Sequence, residues 1–256
     1  MSKIKFIFSF LIFFCSCDNS EIAKEKFYMI QKDKYSNKLE GFWLGQSIAN
    51  WTGLITEMDK IGNIGEIKTG SFYTRENWSN KDEPNIWSPI SEYDVIDFVL
   101  KENEEVWGSD DDTDIEYMYQ ELLYNNNDII LSAEKIRDGW LKHIIKEEEN
   151  FLWVSNQKAF DLMNDGVLPP KTSNPDLNEH FDMIDAQLTT EIFGLLSPAN
   201  SYNALKMSYL PIRTTGGGDA ALISEFYVVI HSLASTIDQS KPLDKELIKI
   251  SDLASD

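Results

Sequence analysis

The sequence predicts an all-α fold, and three observations predict it. Segment after segment places apolar residues at steps of three and four, the spacing that gathers them on one face of a helix. No alternating run is long enough for a convincing strand. Of 256 residues, 42% are hydrophobic and 12% aromatic, enough for a core and too many for a disordered chain. The expected architecture is a compact multi-helix domain.

The N-terminus reads as an address. Lys3 and Lys5 precede an apolar run over residues 6–14. Nine residues make about 14 Å of helix, too short for a bilayer core of about 30 Å. Residues 1–17 are therefore expected to be a secretion signal and are left out of the fold. Small Ser16 precedes Cys17, and polar Asp18, Asn19 and Ser20 follow. That arrangement resembles the cleavage and lipidation site of bacterial lipoproteins, with the lipid on Cys17. It implies a chain anchored to a membrane of the bacterial cell envelope, periplasmic or surface-facing. A plain signal peptide with an unmodified Cys17 is the alternative. Residues 18–36, polar and rich in Lys and Glu, are expected to be a tether. Residues 37–256 are expected to form the domain.

A first helix is predicted over residues 37–57, with Leu39, Phe42, Trp43, Gln46, Ile48 and Ala49 at helical steps. Gly41, Gly45 and Gly53 interrupt it. Each costs about 1 kcal/mol against Ala in a helix interior, so close packing of another helix or a ligand is expected across them. Residues 58–90, with several Gly and Pro, predict a long ordered loop whose Trp78 and Trp87 need burial. Residues 91–100 predict a short helix through Tyr93, Val95, Ile96, Val99 and Leu100, with Ser91 as its cap. A further helix runs to about Tyr124, where three Asn residues break it. Residues 132–149 predict one with Ile136, Trp140, His143 and Ile144 on a single face. Residues 156–164 are a short helix, and residues 166–170 a loop. Residues 180–196 predict a helix, residues 202–209 another, residues 214–219 a turn, and residues 220–235 a strongly apolar helix. His143 and His231 are assigned to packing or a polar edge. The tail is amphipathic in places.

The formal net charge is −20. Binding to nucleic acid needs clustered Lys and Arg, so that partner is not expected. A polyanionic substrate needs a metal or a local basic pocket. The two cysteines, Cys15 and Cys17, leave nothing beyond residue 17 for a disulfide or a Cys-based zinc site. The three His residues lack zinc-hydrolase spacing.

The chemistry is expected at residues 107–114, Trp-Gly-Ser-Asp-Asp-Asp-Thr-Asp, directly before the apolar pattern of Ile115, Met118, Tyr119, Leu122 and Leu123. A helix start welcomes an acid or two, but four in five positions repel, and the helix end offsets only about 1 kcal/mol of that. A hard, oxygen-binding cation such as Mg2+ or Ca2+ resolves the repulsion. A solvated acidic cap is the bland alternative. Asp110, Asp112, Asp114 and Glu121 also fit ligand places of an EF-hand loop. There Ile115 occupies the place that needs Gly for the turn, and the helix pattern runs through the loop.

Three segments then line up in order. The first spans Glu40, Gly41, Gly45, Asn50, Gly53 and Glu57. The second is Asp110-Asp111-Asp112-Thr113. The third runs from Gly166 through Asp185-Ala-Gln-Leu-Thr-Thr-Glu-Ile-Phe-Gly-Leu-Leu-Ser-Pro198 to Gly218-Asp-Ala. Over residues 37–235 they resemble the ADP-ribosylglycohydrolase family. The resemblance implies an all-α domain with two Mg2+ ions in a central cleft, hydrolysing N- or O-glycosidic bonds to ADP-ribose. It implies Asp110, Asp111 and Asp112 as metal ligands, with Thr113 capping the helix or assisting. It implies Glu57 as the catalytic carboxylate that orients or deprotonates the attacking group. Its partner would be an ADP-ribosylated or glycosidic small molecule. This chain has Ala49-Asn50 where members often carry Gly-Asp, and Thr215-Gly216 where they often carry Thr-His before Gly. Nothing after Asp219 matches the family's second Asp-x-Asp-Thr. The expectation is a divergent or C-terminally truncated member holding one ion at most, its hydrolase activity impaired. The alternative is a non-catalytic nucleotide- or glycan-binding surface lipoprotein.

Overall fold

A computed structural model describes residues 28–57, 60, 63–82, 85–86, 95–97, 110–145 and 152–255. The chain divides into residues 1–30 and residues 31–256; all that follows concerns the second unit. The signal run, Cys15, Cys17 and residues 107–109 lie outside the described residues.

The domain is all-α. Its helices are α1 (Lys32–Gly53), α2 (Asp111–Tyr124), α3 (Ala133–His143), α4 (Val154–Asn164), α5 (Asp185–Leu188), α6 (Ile192–Leu195), α7 (Ser201–Thr215), α8 (Gly218–Ala234) and α9 (Leu243–Ser255). Two-residue strands, β1 (Asn63–Ile64) and β2 (Ile67–Lys68), pair antiparallel around a turn with Gly65 at φ 56°. That hairpin and a 3-10 turn at Arg75–Asn77 occupy the predicted loop.

Helix starts follow local chemistry. Asp110, Ser132 and Asn200 accept the N–H of Thr113, Lys135 and Asn203, so α2, α3 and α7 each open on a side-chain cap. Asn125 closes α2.

α8 is the central post, packing on α5, α6, α7 and α9. α2 leans on α3, α5 and α6, and α4 joins α3 to α7. The core between them buries Ile115 and Tyr119 of α2, Ile136 and Trp140 of α3, Met163 of α4, Ile192 and Phe193 of α6, and Ile212 of α7. The Tyr119 hydroxyl accepts from Trp140 Nε1 at 3.1 Å, so both polar tips are paired inside. Burial pushes the Tyr119 phenol up to about 12.

Four expectations are corrected. α1 begins at Lys32 and ends at Gly53, followed by a 3-10 turn at Leu54–Thr56, so helix reaches into the stretch expected to be a tether. Most of the helix predicted over residues 91–100 lies outside the described residues. Its described part, residues 95–97, is not helical: Ser79 N–H donates to the Ile96 carbonyl at 2.7 Å and Ile96 N–H to the Asn80 carbonyl at 2.9 Å. The single helix predicted over residues 180–196 is instead a set of turns around short α5 and α6. Where α5 ends, Thr189 and Thr190 turn their hydroxyls back onto the Asp185 and Ala186 carbonyls. Finally, no other helix packs across the α1 glycines: a Cβ at Gly41, Gly45 or Gly53 would meet nothing within 4 Å, and Gly41 and Gly45 line a cavity instead. The tight glycine is Gly194, where a Cβ would come 2.0 Å from the Val228 carbonyl oxygen. That contact lets α6 lie directly on α8.

Candidate functional site

The acids predicted to carry the chemistry come together at the start of α2. Asp110 is the cap: its backbone is extended, and Oδ1 accepts the Thr113 N–H at 2.9 Å. Capping therefore falls to Asp110, with Thr113 as donor. Its other oxygen accepts from Asn50 Nδ2, so α1 reaches the acids through Asn50. Asp111 Oδ2 accepts the Trp153 N–H at 3.2 Å, just before α4. Burial raises the Asp111 carboxyl against that hydrogen bond, with Asp110 and Asp185 adding to the rise. Asp112 is pushed up to about 8, chiefly by burial, then by the charges of Asp111, Asp110, Asp185 and Glu116.

Two acids reach this site without being singled out as site residues from sequence. Asp185, the first residue of α5, is 2% exposed and lies within electrostatic reach of Asp111 and Asp112. Its Oδ1 accepts the Asn156 N–H at 3.3 Å, while Oδ2 is buried with no partner. Glu116, one turn into α2, is fully buried. Its Oε1 accepts the Ile192 N–H at 2.8 Å, and its Oε2 accepts from Gln46 Nε2. Burial and the nearby Glu191 push Glu116 up to about 8, with the Gln46 and Ile192 bonds opposing. The sequence signal for Glu116 is an acid at a core-facing step of a helix, which periodicity by itself scores as a polar interruption; Asp185 stands within the third resembling segment with no role given to it.

Glu57 is exposed, just past the 3-10 turn that follows α1. It does not line either of two cavities of the domain. One, of about 400 Å3, lies between α1 and the α6–α8 face and is lined by Gly41, Phe42, Gly45, Gln46 and His231 among others. His231 meets Phe42 edge-on at 5.7 Å and sits at the packing edge expected of it. The other, of about 440 Å3, runs beside α2 from Asp111 to Glu121 and takes in His143. α2 is continuous from Asp111, so the EF-hand alternative has no loop to occupy.

A divalent ion suits these donors in kind, since all are carboxylate oxygens and one, Asp185 Oδ2, is buried without a partner. Among the described residues, no group of three or more His, Cys, Asp or Glu converges as a ready ion cage. Asp110 and Asp111 are tied to protein donors instead.

Fold and site together define an all-α domain with a partly buried cluster of acids where α2 starts, met by α4 and α5. Compared with models of protein families, with curated proteins and with solved structures, the chain gives no match.

Proposed function

We propose that this domain is a Mg2+-dependent hydrolase of N- or O-glycosidic bonds, acting on ADP-ribosyl or related sugar groups. One observation supports it above the others. Asp110, Asp111, Asp112 and Asp185 gather on two elements, and among the described residues none forms an ion pair with Lys or Arg. Partly buried carboxylates held together without a counter-charge are expensive unless protonated or bound to a cation. In this reading Asp110, Asp111 and Asp112 hold the ion, exchanging their bonds to Asn50 and Trp153 for metal–oxygen bonds. The ion supplies charge neutralisation at the reacting oxygen and lets an acidic chain accept an anionic substrate. Glu57 orients or deprotonates the attacking group. The chain carries the domain on a bacterial envelope membrane through a lipid on Cys17. Among the described residues no helix is long and apolar enough to cross a membrane.

The test is release of ADP-ribose from an ADP-ribosylated peptide by the full chain. Turnover should need Mg2+, stop with chelator, and fall at least about 100-fold in Asp112→Asn and in Glu57→Gln. Turnover indifferent to chelator would end the metal reading. For the anchor, Cys17→Ser should move the protein out of the membrane fraction.

A second reading, a non-catalytic nucleotide- or glycan-binding lipoprotein, is favoured by Asn50. Its neutral amide occupies Asp110 where the family often supplies an acid. Calorimetric binding of ADP-ribose or a glycan with no turnover would select it.

A further inference from the structure

The cavity between α1 and the α6–α8 face takes no part in the chemistry proposed for the acids. Its volume is about 400 Å3, in the range of small-ligand pockets. Long and short side chains of α1 together create it. The Tyr35 hydroxyl donates to the Leu195 carbonyl at 2.8 Å, and the Lys38 ammonium to the Ala234 carbonyl at 3.1 Å. The Phe42 ring meets His231 edge-on. Among these three struts stand Gly41 and Gly45, with no side chain to fill the space. α1 is thus propped off its neighbours along this face rather than packed onto them. Glycine is a poor helix former, so the two positions give up helix stability and leave room.

The walls say what the room suits. Gly41, Phe42, Gly45, Leu195 and Ala234 make an apolar stretch, where a water molecule lacks the several polar partners it needs. Polar groups of α1 stand at either end of that stretch. Gln46 is one, its amide tied to Glu116. Lys38 is the other, about 12 Å away along the helix. Lys38 is half-buried, and among the described residues it pairs with no Asp or Glu. Its bond to the Ala234 carbonyl leaves ammonium N–H groups to spare. His231, the other basic group of the cavity, already faces the charge of Glu191.

The chain has 43 acids against 23 Lys and Arg, yet this cation is held to a carbonyl beside an apolar cavity. That pairing of charge and surface fits an anion brought from outside on an apolar body. An inorganic anion would leave the apolar stretch empty. An amine would meet the charge of Lys38. A sugar or nucleotide would bury hydroxyls against carbon.

We infer that this cavity binds a single-chain alkyl carboxylate of medium length, its carboxylate on Lys38 Nζ and its chain over Gly41 and Gly45. The chain ends short of Gln46. The inference goes beyond the hydrolase reading and owes nothing to it.

The test is calorimetry on the full chain with octanoate, with octanol and acetate as controls, alongside thermal unfolding. Wild type should bind octanoate, bind octanol at least about tenfold more weakly, and show no binding of acetate. Lys38→Gln should weaken octanoate about tenfold or more and leave octanol unchanged. Gly45→Leu places a side chain in the cavity and should weaken both by at least that factor. It should melt at or above wild type, since Leu is the better helix former and meets open space. A wild-type chain that does not bind octanoate overturns the inference. So does octanol binding as tight as octanoate, or octanoate binding that Lys38→Gln leaves intact. Octanoate held equally by Gly45→Leu and wild type would place the ligand elsewhere and overturn it too.

Discussion

Glu116 shows how one buried group sets a pH response. Its carboxyl is neutral in the fold up to about 8, against 4.5 for an ordinary glutamate. Between those values the folded chain binds a proton that the unfolded chain has released. Stability from this group is therefore whole below pH 4.5 and falls as pH rises, by up to about 1.4 kcal/mol per unit. Asp112, raised from 3.8 to about 8, acts in the same direction. The protonated form also explains Gln46, whose Oε1 is buried without a partner. Amide O and N are interchangeable in shape, so with that amide turned over the Glu116 hydroxyl donates to Gln46 Oε1. Glu116→Gln imitates this neutral form. Urea unfolding in divalent-free buffer should show the variant close to wild type at pH 5, more stable than wild type at pH 8, and with a flatter dependence between.

At the scale of elements, the glycines separate helix faces that lie against a neighbour from faces that are open. Gly194 lies against the α8 backbone, and Gly194→Ala forces α6 off α8 at a cost of about 3 kcal/mol or more. Gly41 and Gly45 face open space on α1. Ala at either should stabilise the helix by about 0.5–1 kcal/mol. Unfolding midpoints of the three variants check both signs; a stability loss in Gly41→Ala would mean that something covers that side of α1. Gly spacing was legible in the sequence, but spacing does not say what lies across a helix. The same holds for residues 180–196. Their apolar period is real, yet the chain leaves the helix after Leu188 and resumes it only at Ile192.

For the whole molecule, the strongly negative charge and the buried acids predict a fold limited by self-repulsion. In divalent-free buffer the melting temperature should fall as pH rises from 5 to 8. At pH 8, Mg2+ at about 100 times its dissociation constant should restore about 2.7 kcal/mol, several degrees for a domain of this size. Sodium at matched ionic strength should not do so. A melting temperature blind to Mg2+ would remove the ion from the acid cluster. Trp140→Ala, which empties the centre of the core beside Tyr119, should cost about 3–5 kcal/mol at any pH.

The sequence by itself determined the all-α class, the position of α4 and α8 within two residues, the starts of α3 and α7 though not their ends, the end of α2, and the gathering of acids where α2 starts. These are local matters: periodicity, a capping side chain, a run of charge. It could not determine that Asp185 and Asn156 join those acids, that Asn50 is the α1 residue touching Asp110, or that Glu57 lies exposed. Those depend on how α1, α4 and α5 meet α2, and such meetings are set by burial and packing between residues far apart in the chain. Tertiary structure also decided which polar atoms are left unsatisfied, because a hydrogen bond is missing only once both water and every other partner have been shut out.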